Sequence, residues 1–213
     1  MKGLIVTGGK IPGKAHIEKF RCDEMYVVAA DSGYDNAMEL GIKPQCLIGD
    51  MDSIVNIPED NIQILTFPVK KDFTDTELAA IHLFEKGITE YILIGGGEGR
   101  LDHTISLLDA YSGTKYPNIW ITEKEIIYTV TSRIQLELAT ESTISLFNPC
   151  SQGAIVSTKG LYWDLSEKEV ARGSSSISNM NTTNKFSIEI KEGGLILVSI
   201  QIITAKILNQ DQL

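Results

Sequence analysis

The stretch Met25-Tyr-Val-Val-Ala-Ala-Asp-Ser-Gly33, running on through Gly41 to Cys46-Leu-Ile-Gly-Asp50, decides the fold. Residues 25–30 form a near-continuous apolar run. Residues 32–40 read as a helix that stops at Gly41, a residue suited to the left-handed turn that closes a helix. Residues 46–48 are a second apolar run, ending in Gly49-Asp50. Short runs that are apolar throughout, rather than alternating, suit strands buried on both faces. Strand, helix, strand in that order is the unit from which a parallel sheet is built.

The same unit repeats outward from this stretch. Residues 4–6 end in Thr7-Gly8-Gly9, residues 62–67 end at Pro68, residues 91–94 end in Gly95-Gly-Gly97, and residues 118–122 make a sixth strand. A second helix opens at Thr74 with Glu77 three positions on, the pattern of a capping box, and runs through Leu78, Ile81 and Phe84 to Gly87. A third starts near Leu101, carries Ile105 and Leu108 on one face, and ends before Gly113. This predicts an α/β fold whose N-terminal part is a mostly parallel Rossmann-like sheet with flanking helices.

From about residue 133 helical periodicity disappears. Segments 133–138, 143–147, 154–157, 185–190 and 194–203 are β-rich, and several alternate apolar with polar residues. Antiparallel strands with one wet face read this way. The expectation is a C-terminal antiparallel β-sandwich, with domains at 1–132 and 133–213.

Bulk properties narrow the function. The chain has 213 residues, 43% hydrophobic and 22% charged, an ordinary globular balance. A net charge of -9 argues against nucleic acid or an anionic membrane surface as the main partner. It leaves room for a polyanionic small ligand, whose charge a bound metal and a few basic residues can offset. Cys22, Cys46 and Cys150 are far apart and odd in number, which predicts free, buried thiols. The N-terminal apolar run is too short for a signal peptide, and residues 194–208 are interrupted by Ser199, Gln201, Thr204 and Lys206. A cytoplasmic protein is expected.

In open parallel sheets ligands sit at the carboxyl ends of the strands. The charged residues follow that rule: Asp31 after the second strand, Asp50 and Asp52 after the third, Lys70, Lys71, Asp72 and Asp75 after the fourth, Arg100 and Asp102 after the fifth. Asp50 and Asp52 are two apart, so in extended chain they point the same way. Two like charges so placed repel, and a divalent cation relieves the repulsion. Any single aspartate after a strand is as easily a turn former or helix cap, as for Asp75 in a first helical turn. Lys70 and Lys71 read most simply as a solvated charge pair, but their place beside Asp72 suits a phosphate contact. The run Gly95-Gly-Gly-Glu-Gly99 resembles a phosphate-cradling loop but matches neither GxGxxG nor the Walker pattern. No Ser-His-Asp order or nucleophile elbow occurs, which argues against acyl transfer. Farther on, Lys159-Gly-Leu-Tyr-Trp-Asp-Leu165 puts an aromatic pair in a loop. Residues 173–179 are a second loop, rich in hydroxyl and amide groups. Together they suit a flat heterocycle.

Over essentially its whole length the chain resembles the thiamine pyrophosphokinase family. The motifs that carry this occur in order: Ala30-Asp31-Ser-Gly33, Gly49-Asp-Met-Asp-Ser53, Asp72-Phe-Thr-Asp75, Gly99-Arg-Leu-Asp-His103, Gly160-Leu-Tyr-Trp-Asp-Leu165 and Ser176-Ile-Ser-Asn179. The resemblance implies transfer of the pyrophosphoryl group of ATP to the hydroxyl of thiamine, giving thiamine diphosphate and AMP. It implies Mg²⁺ held by Asp50, Asp52, Asp72 and Asp75. Asp31, Lys71 and Arg100 would border the nucleotide, with Asp75, Arg100 and Asp102 as catalytic groups. Trp163, Ser176, Ser178 and Asn179 would hold thiamine, and a homodimer would have its thiamine sites at the interface. Ser32, Met51 and Met180 depart from the family's usual residues.

Two other readings use the same residues. A Mg²⁺-dependent nucleotidyltransferase would use the paired aspartates but release pyrophosphate rather than AMP. A ligand-binding regulatory protein would keep the pocket without turnover, against which the intact Asp50, Asp52 and Asp75 argue.

Overall fold

The structure, a computed structural model, describes residues 1–56, 58 and 61–202, and the backbone of residues 207–209. The chain forms two compact units, Met1–Glu123 and Lys124–Leu213.

The first unit is built on β1 (Gly3–Val6), β2 (Tyr26–Ala30), α1 (Gly33–Leu40), β3 (Cys46–Gly49), β4 (Gln63–Thr66), α2 (Asp75–Glu85), β5 (Tyr91–Ile94), α3 (Leu101–Asp109) and β6 (Ile119–Ile121). Its strands lie in the order β6-β5-β1-β2-β3-β4, and every pair is parallel. The chain proceeds from β1 outward to β4, then crosses to the far side of β1 for β5 and β6. That reversal beside β1 is the topological switch point at which open α/β sheets bind ligands. Leu4, Ile5, Val6, Leu47 and Ile48 are wholly buried. Each such side chain contributes about 1.5–3 kcal/mol of transfer free energy.

Local signals place the helices. Gly41 ends α1 with φ 73°. At α2, Thr74 Oγ1 accepts from the Glu77 backbone N–H while the Glu77 carboxylate accepts from the Thr74 N–H, so the capping box is formed in full. Gly33 opens α1 directly against β1. A Cβ there would stand 2.1 Å from the Val6 carbonyl oxygen, so no larger residue fits.

Several expectations change on contact with the structure. The fourth strand is not buried on both faces: β4 is the sheet's edge, and Gln63, Ile64 and Thr66 are exposed. α2 buries Ala79, Ala80 and Leu83, while Leu78, Ile81 and Phe84 are half-buried. Small residues let the helix lie close to the strands, so the larger ones flank the contact. No residue of α3 is buried, and Ile105 is exposed. A cleft of about 640 Å³ lined by Ala80 and Ile81 of α2 and by Ser106 and Leu107 of α3 takes the place of a sealed contact. Three short 3₁₀ turns, Lys14–His16, Glu18–Phe20 and Cys22–Glu24, precede β2 and bury Phe20 and Cys22. Cys22 and Cys46 are free and buried as expected, whereas Cys150 is only half-buried.

The second unit contains β7 (Glu125–Val130), β8 (Arg133–Leu138), β9 (Thr143–Phe147), β10 (Ala154–Lys159), β11 (Lys168–Val170), β12 (Ser176–Met180), β13 (Lys185–Gly193), β14 (Ile196–Gln201) and β15 (Ile207–Asn209). Within it, β12-β9-β14-β7 form one antiparallel set and β11-β10-β13-β8-β15 another. Alternate residues of β8, β9, β10 and β13 are buried, the one-wet-face pattern of a sandwich. The unit begins before residue 133 because β7, an apolar run that the sequence reading leaves unassigned, pairs in register with β14 from Ile196 to Gln201. The stretch 173–179 is not all loop: Ser176–Met180 is the edge strand β12. Position 203, the end of the last expected strand, lies outside the described residues. Among the described residues no helix is long and apolar enough to cross a membrane.

Candidate functional site

The carboxyl ends of β1 to β5 open into a cleft of about 710 Å³. Its lining includes Asp31, Asp50, Asp52, Lys71, Asp72, Asp75, Gly96, Gly97, Arg100 and His103. Of the charged residues the sequence places on this rim, Asp102 is not part of the lining, and neither is Lys70.

Carboxylate oxygens of Asp31, Asp50 and Asp52 lie within 4.8 Å of one another. Asp31 follows β2 in the left-handed region, φ 48°, where its N–H donates to the Ile48 carbonyl at 2.8 Å. This bond ties the end of β2 to the end of β3 and brings the three side chains together. Met51 is also left-handed, φ 68°, so the chain turns sharply between the two aspartates. The Asp52 N–H donates to Asp50 Oδ1 at 3.3 Å, and the Ser53 hydroxyl donates to Asp52 Oδ1 at 2.6 Å. Asp31 Oδ1 is buried and accepts no hydrogen bond. A buried carboxylate oxygen without a donor is costly, and two further carboxylates stand beside it. A hard divalent cation fits such a donor set.

Asp72 and Asp75 line the same cleft but stand outside that group of three. Asp75 pairs instead with Lys71, whose ammonium lies 3.1 Å from Asp75 Oδ1 and 3.9 Å from Asp50 Oδ2. Burial raises the Asp75 carboxyl above the usual carboxylate range; Lys71 opposes the shift, while the Asp31 and Asp50 charges add to it.

Arg100 projects into solvent at the mouth, its side chain 74% exposed, and forks onto Asp102 with contacts of 2.6 and 3.2 Å. The hydrogen bond from Arg100 holds Asp102 below the usual range. Asp102 is thus tied to Arg100 outside the cleft lining, whereas Asp75 lines the cleft.

The glycine loop is fixed from behind. The Trp120 indole N–H donates to the Gly95 carbonyl at 2.7 Å, and the Gly96 N–H donates to the Gly8 carbonyl at 2.8 Å. Gly95 has φ 96°, and a Cβ there would meet the Thr7 carbonyl oxygen at 2.6 Å. Thr7, Gly8 and Gly9 are cleft residues that the sequence reading did not single out. The Asn36 amide donates to the carbonyls of Thr7 and Gly9, and the Thr7 hydroxyl meets that of Thr76 at 2.7 Å. A strand that ends in Thr-Gly-Gly was the available signal.

In the second unit Tyr162 and Trp163 are exposed and stack edge to face, ring centroids 4.8 Å apart. Asn179 lies beneath them and is wholly buried. Its Oδ1 accepts from the N–H of Trp163 at 3.1 Å and of Met180 at 2.9 Å, and its Nδ2 donates to the Trp163 carbonyl at 2.9 Å. Asn179 therefore sets the conformation of the Trp163 loop instead of offering its amide to a ligand. Asp164 closes the same loop, accepting from the Thr158 hydroxyl and the N–H groups of Gly160 and Leu161. Ser178 is exposed with φ 55°, its N–H donating to Ser145 Oγ, and Ser176 is half-buried.

Residues 18–122 match the family described as thiamin pyrophosphokinase, catalytic domain, and residues 131–195 match its vitamin B1 binding domain. Comparison with curated proteins finds no match. Solved structures with the same fold include a thiamine pyrophosphokinase from Bacillus subtilis, with 20% identity, a TM-score of 0.75, and 94% of this chain and 99% of that one covered. A thiamin pyrophosphokinase family protein from Enterococcus faecalis has 19% identity and a TM-score of 0.76, with 94% and 99% covered. The thiamin pyrophosphokinase from Candida albicans has 15% identity and a TM-score of 0.73, with 94% and 88% covered. With both halves of the family matched in order along the chain, and with a fold and cleft of the kind such an enzyme needs, the chain belongs to the thiamin pyrophosphokinase family.

Proposed function

We propose that the protein catalyses Mg²⁺-dependent transfer of the pyrophosphoryl group of ATP to the thiamine hydroxyl, releasing AMP. The observation that carries this reading is the group of Asp31, Asp50 and Asp52, with its unsatisfied Asp31 oxygen, opening into a cleft that also holds Lys71, Arg100 and the Gly96-Gly97 backbone. Asp31, Asp50 and Asp52 would hold Mg²⁺, with Asp72 as a further candidate ligand. When bound, the ion supplies charge neutralisation on the phosphates and polarises the bond to the transferred phosphorus.

The chain's own residues do the rest. Transfer between oxygens needs positioning and charge stabilisation more than covalent help. Lys71 binds phosphate oxygens, and the side-chain-free Gly96-Gly97 backbone lets the phosphates approach the cleft wall closely. Arg100, free to leave its exposed pairing with Asp102, offers a bidentate contact to the transferred group. Asp75 accepts the proton of the thiamine hydroxyl; its place in the cleft lining favours it over Asp102. In the second unit the Trp163 ring gives a face on which a flat cationic heterocycle stacks, with Ser176 and Ser178 nearby and Asn179 holding the platform. The protein works as a cytoplasmic homodimer whose thiamine sites lie at the interface between copies.

Incubation of the purified protein with thiamine, ATP and Mg²⁺ tests the reaction. Thiamine diphosphate and AMP in equal amounts are expected. Pyrophosphate with an adenylated acceptor would favour the nucleotidyltransferase reading instead, and no product would sink both. Sedimentation tests the assembly: a stable monomer at micromolar concentration would contradict the dimer.

A further inference from the structure

Lys71 sits inside the carboxylate cluster rather than at its edge. Its side chain is only 14% exposed, and its ammonium reaches both Asp75, at 3.1 Å, and Asp50, at 3.9 Å. Lysine ordinarily keeps its charged head in water. Drawing it in costs desolvation that close carboxylates recover. Asp50 is also one of the three residues whose oxygens lie within 4.8 Å. One carboxylate is thus shared between a fixed ammonium and the group that fits a divalent cation. Arg100, which also lines the cleft, is turned onto Asp102 and leaves Asp50 to Lys71.

We propose that Lys71 is an internal counter-cation for Asp50, competing with the divalent metal for that carboxylate and yielding it when nucleotide phosphates draw the ammonium away. Metal and nucleotide then load together, because whatever removes Lys71 from Asp50 strengthens the metal's hold, and the coupling is reciprocal. Lys71 acts here through Asp50 as a positioning residue, besides contacting phosphate. The inference rests on the proposed reading of the cleft as a metal and nucleotide site.

The test is Mn²⁺ binding followed by electron paramagnetic resonance, with no nucleotide present. A nearby opposite charge changes a carboxylate's cation affinity by about tenfold or more. Lys71→Met should therefore bind Mn²⁺ about tenfold more tightly than the parent protein, and Lys71→Arg should bind it as the parent does. In calorimetry at saturating Mn²⁺, Lys71→Met should bind α,β-methylene-ATP more weakly. Circular dichroism checks the fold, and Lys71→Gln is read in the same way if the Met variant does not fold. Equal or weaker Mn²⁺ affinity in the neutral variants overturns the counter-cation role alone. A parent protein that binds no Mn²⁺, with or without the analogue, overturns the metal site as well.

Discussion

The acidic cleft of the first unit and the aromatic loop of the second treat their polar groups in opposite ways. In the cleft, Asp31 keeps a buried oxygen without a donor, and Asp75 is held above the usual carboxylate range by burial. In the loop, Asn179 is wholly buried and its amide serves three backbone groups, while Asp164 serves two more and the Thr158 hydroxyl. Frustrated carboxylates call for a partner from outside. A buried amide bonded into its own loop rigidifies what it touches. The first region is built to bind charge, the second to present a surface.

That contrast predicts which substitutions cost activity and which cost stability. Asp52→Ala should lower turnover by roughly a hundredfold to a thousandfold, with little change in melting temperature because Asp52 is exposed. Near-parental turnover would remove Asp52 from the machinery. Asn179→Ala should do the reverse first, destabilising the fold by about 2–4 kcal/mol in urea titration, since buried backbone groups lose their partner. A fully stable Asn179→Ala variant would break the comparison. Trp163→Ala should raise the thiamine Kd by about tenfold while leaving ATP binding and stability unchanged, the residue being 57% exposed. Equal losses for both substrates would deny the platform.

The smallest effect lies away from both regions. His82, on α2 against Tyr26, has its imidazole held below the ordinary value of 6.5, chiefly by burial, with the Lys86 charge adding to the shift. The unfolded chain then binds the proton first. Stability is full above the ordinary imidazole range and declines as pH falls from there towards the lowered folded value. His82→Gln should flatten that decline; an unchanged pH profile would show that other groups cause it.

The parallel unit was largely legible from sequence because its signals are local and agree with one another. Apolar runs of full burial, the Thr74–Glu77 box and Gly41 each specify a boundary by themselves. So did the convergence of Asp31, Asp50, Asp52, Lys71 and Arg100, which follows from strand topology alone. What sequence could not give was the grouping inside the cleft. Asp31 joins Asp50 and Asp52 through a backbone bond between neighbouring strands, whereas Asp72 and Asp75 come from a flanking segment in which Lys71 captures Asp75. Pairings of that kind depend on tertiary register. Ser176–Met180 failed for another reason. Its composition is that of a loop, and only pairing with β9 makes it a strand. Asn179 carried no sign of burial, since a polar residue among serines reads as solvent-facing.

The two tryptophans of this chain fall one to each unit. Trp120 is 3% exposed and bonded to the carbonyl behind the glycine loop, and Trp163 is largely in solvent. Their emission will differ in colour and in access to collisional quenchers: Trp120 blue and shielded, Trp163 red and quenchable. A Trp163→Phe variant leaves a single emitter behind the glycine loop of the acidic cleft, and Trp120→Phe leaves one on the exposed aromatic loop. Intrinsic fluorescence can therefore follow occupancy of each region separately, without any attached dye.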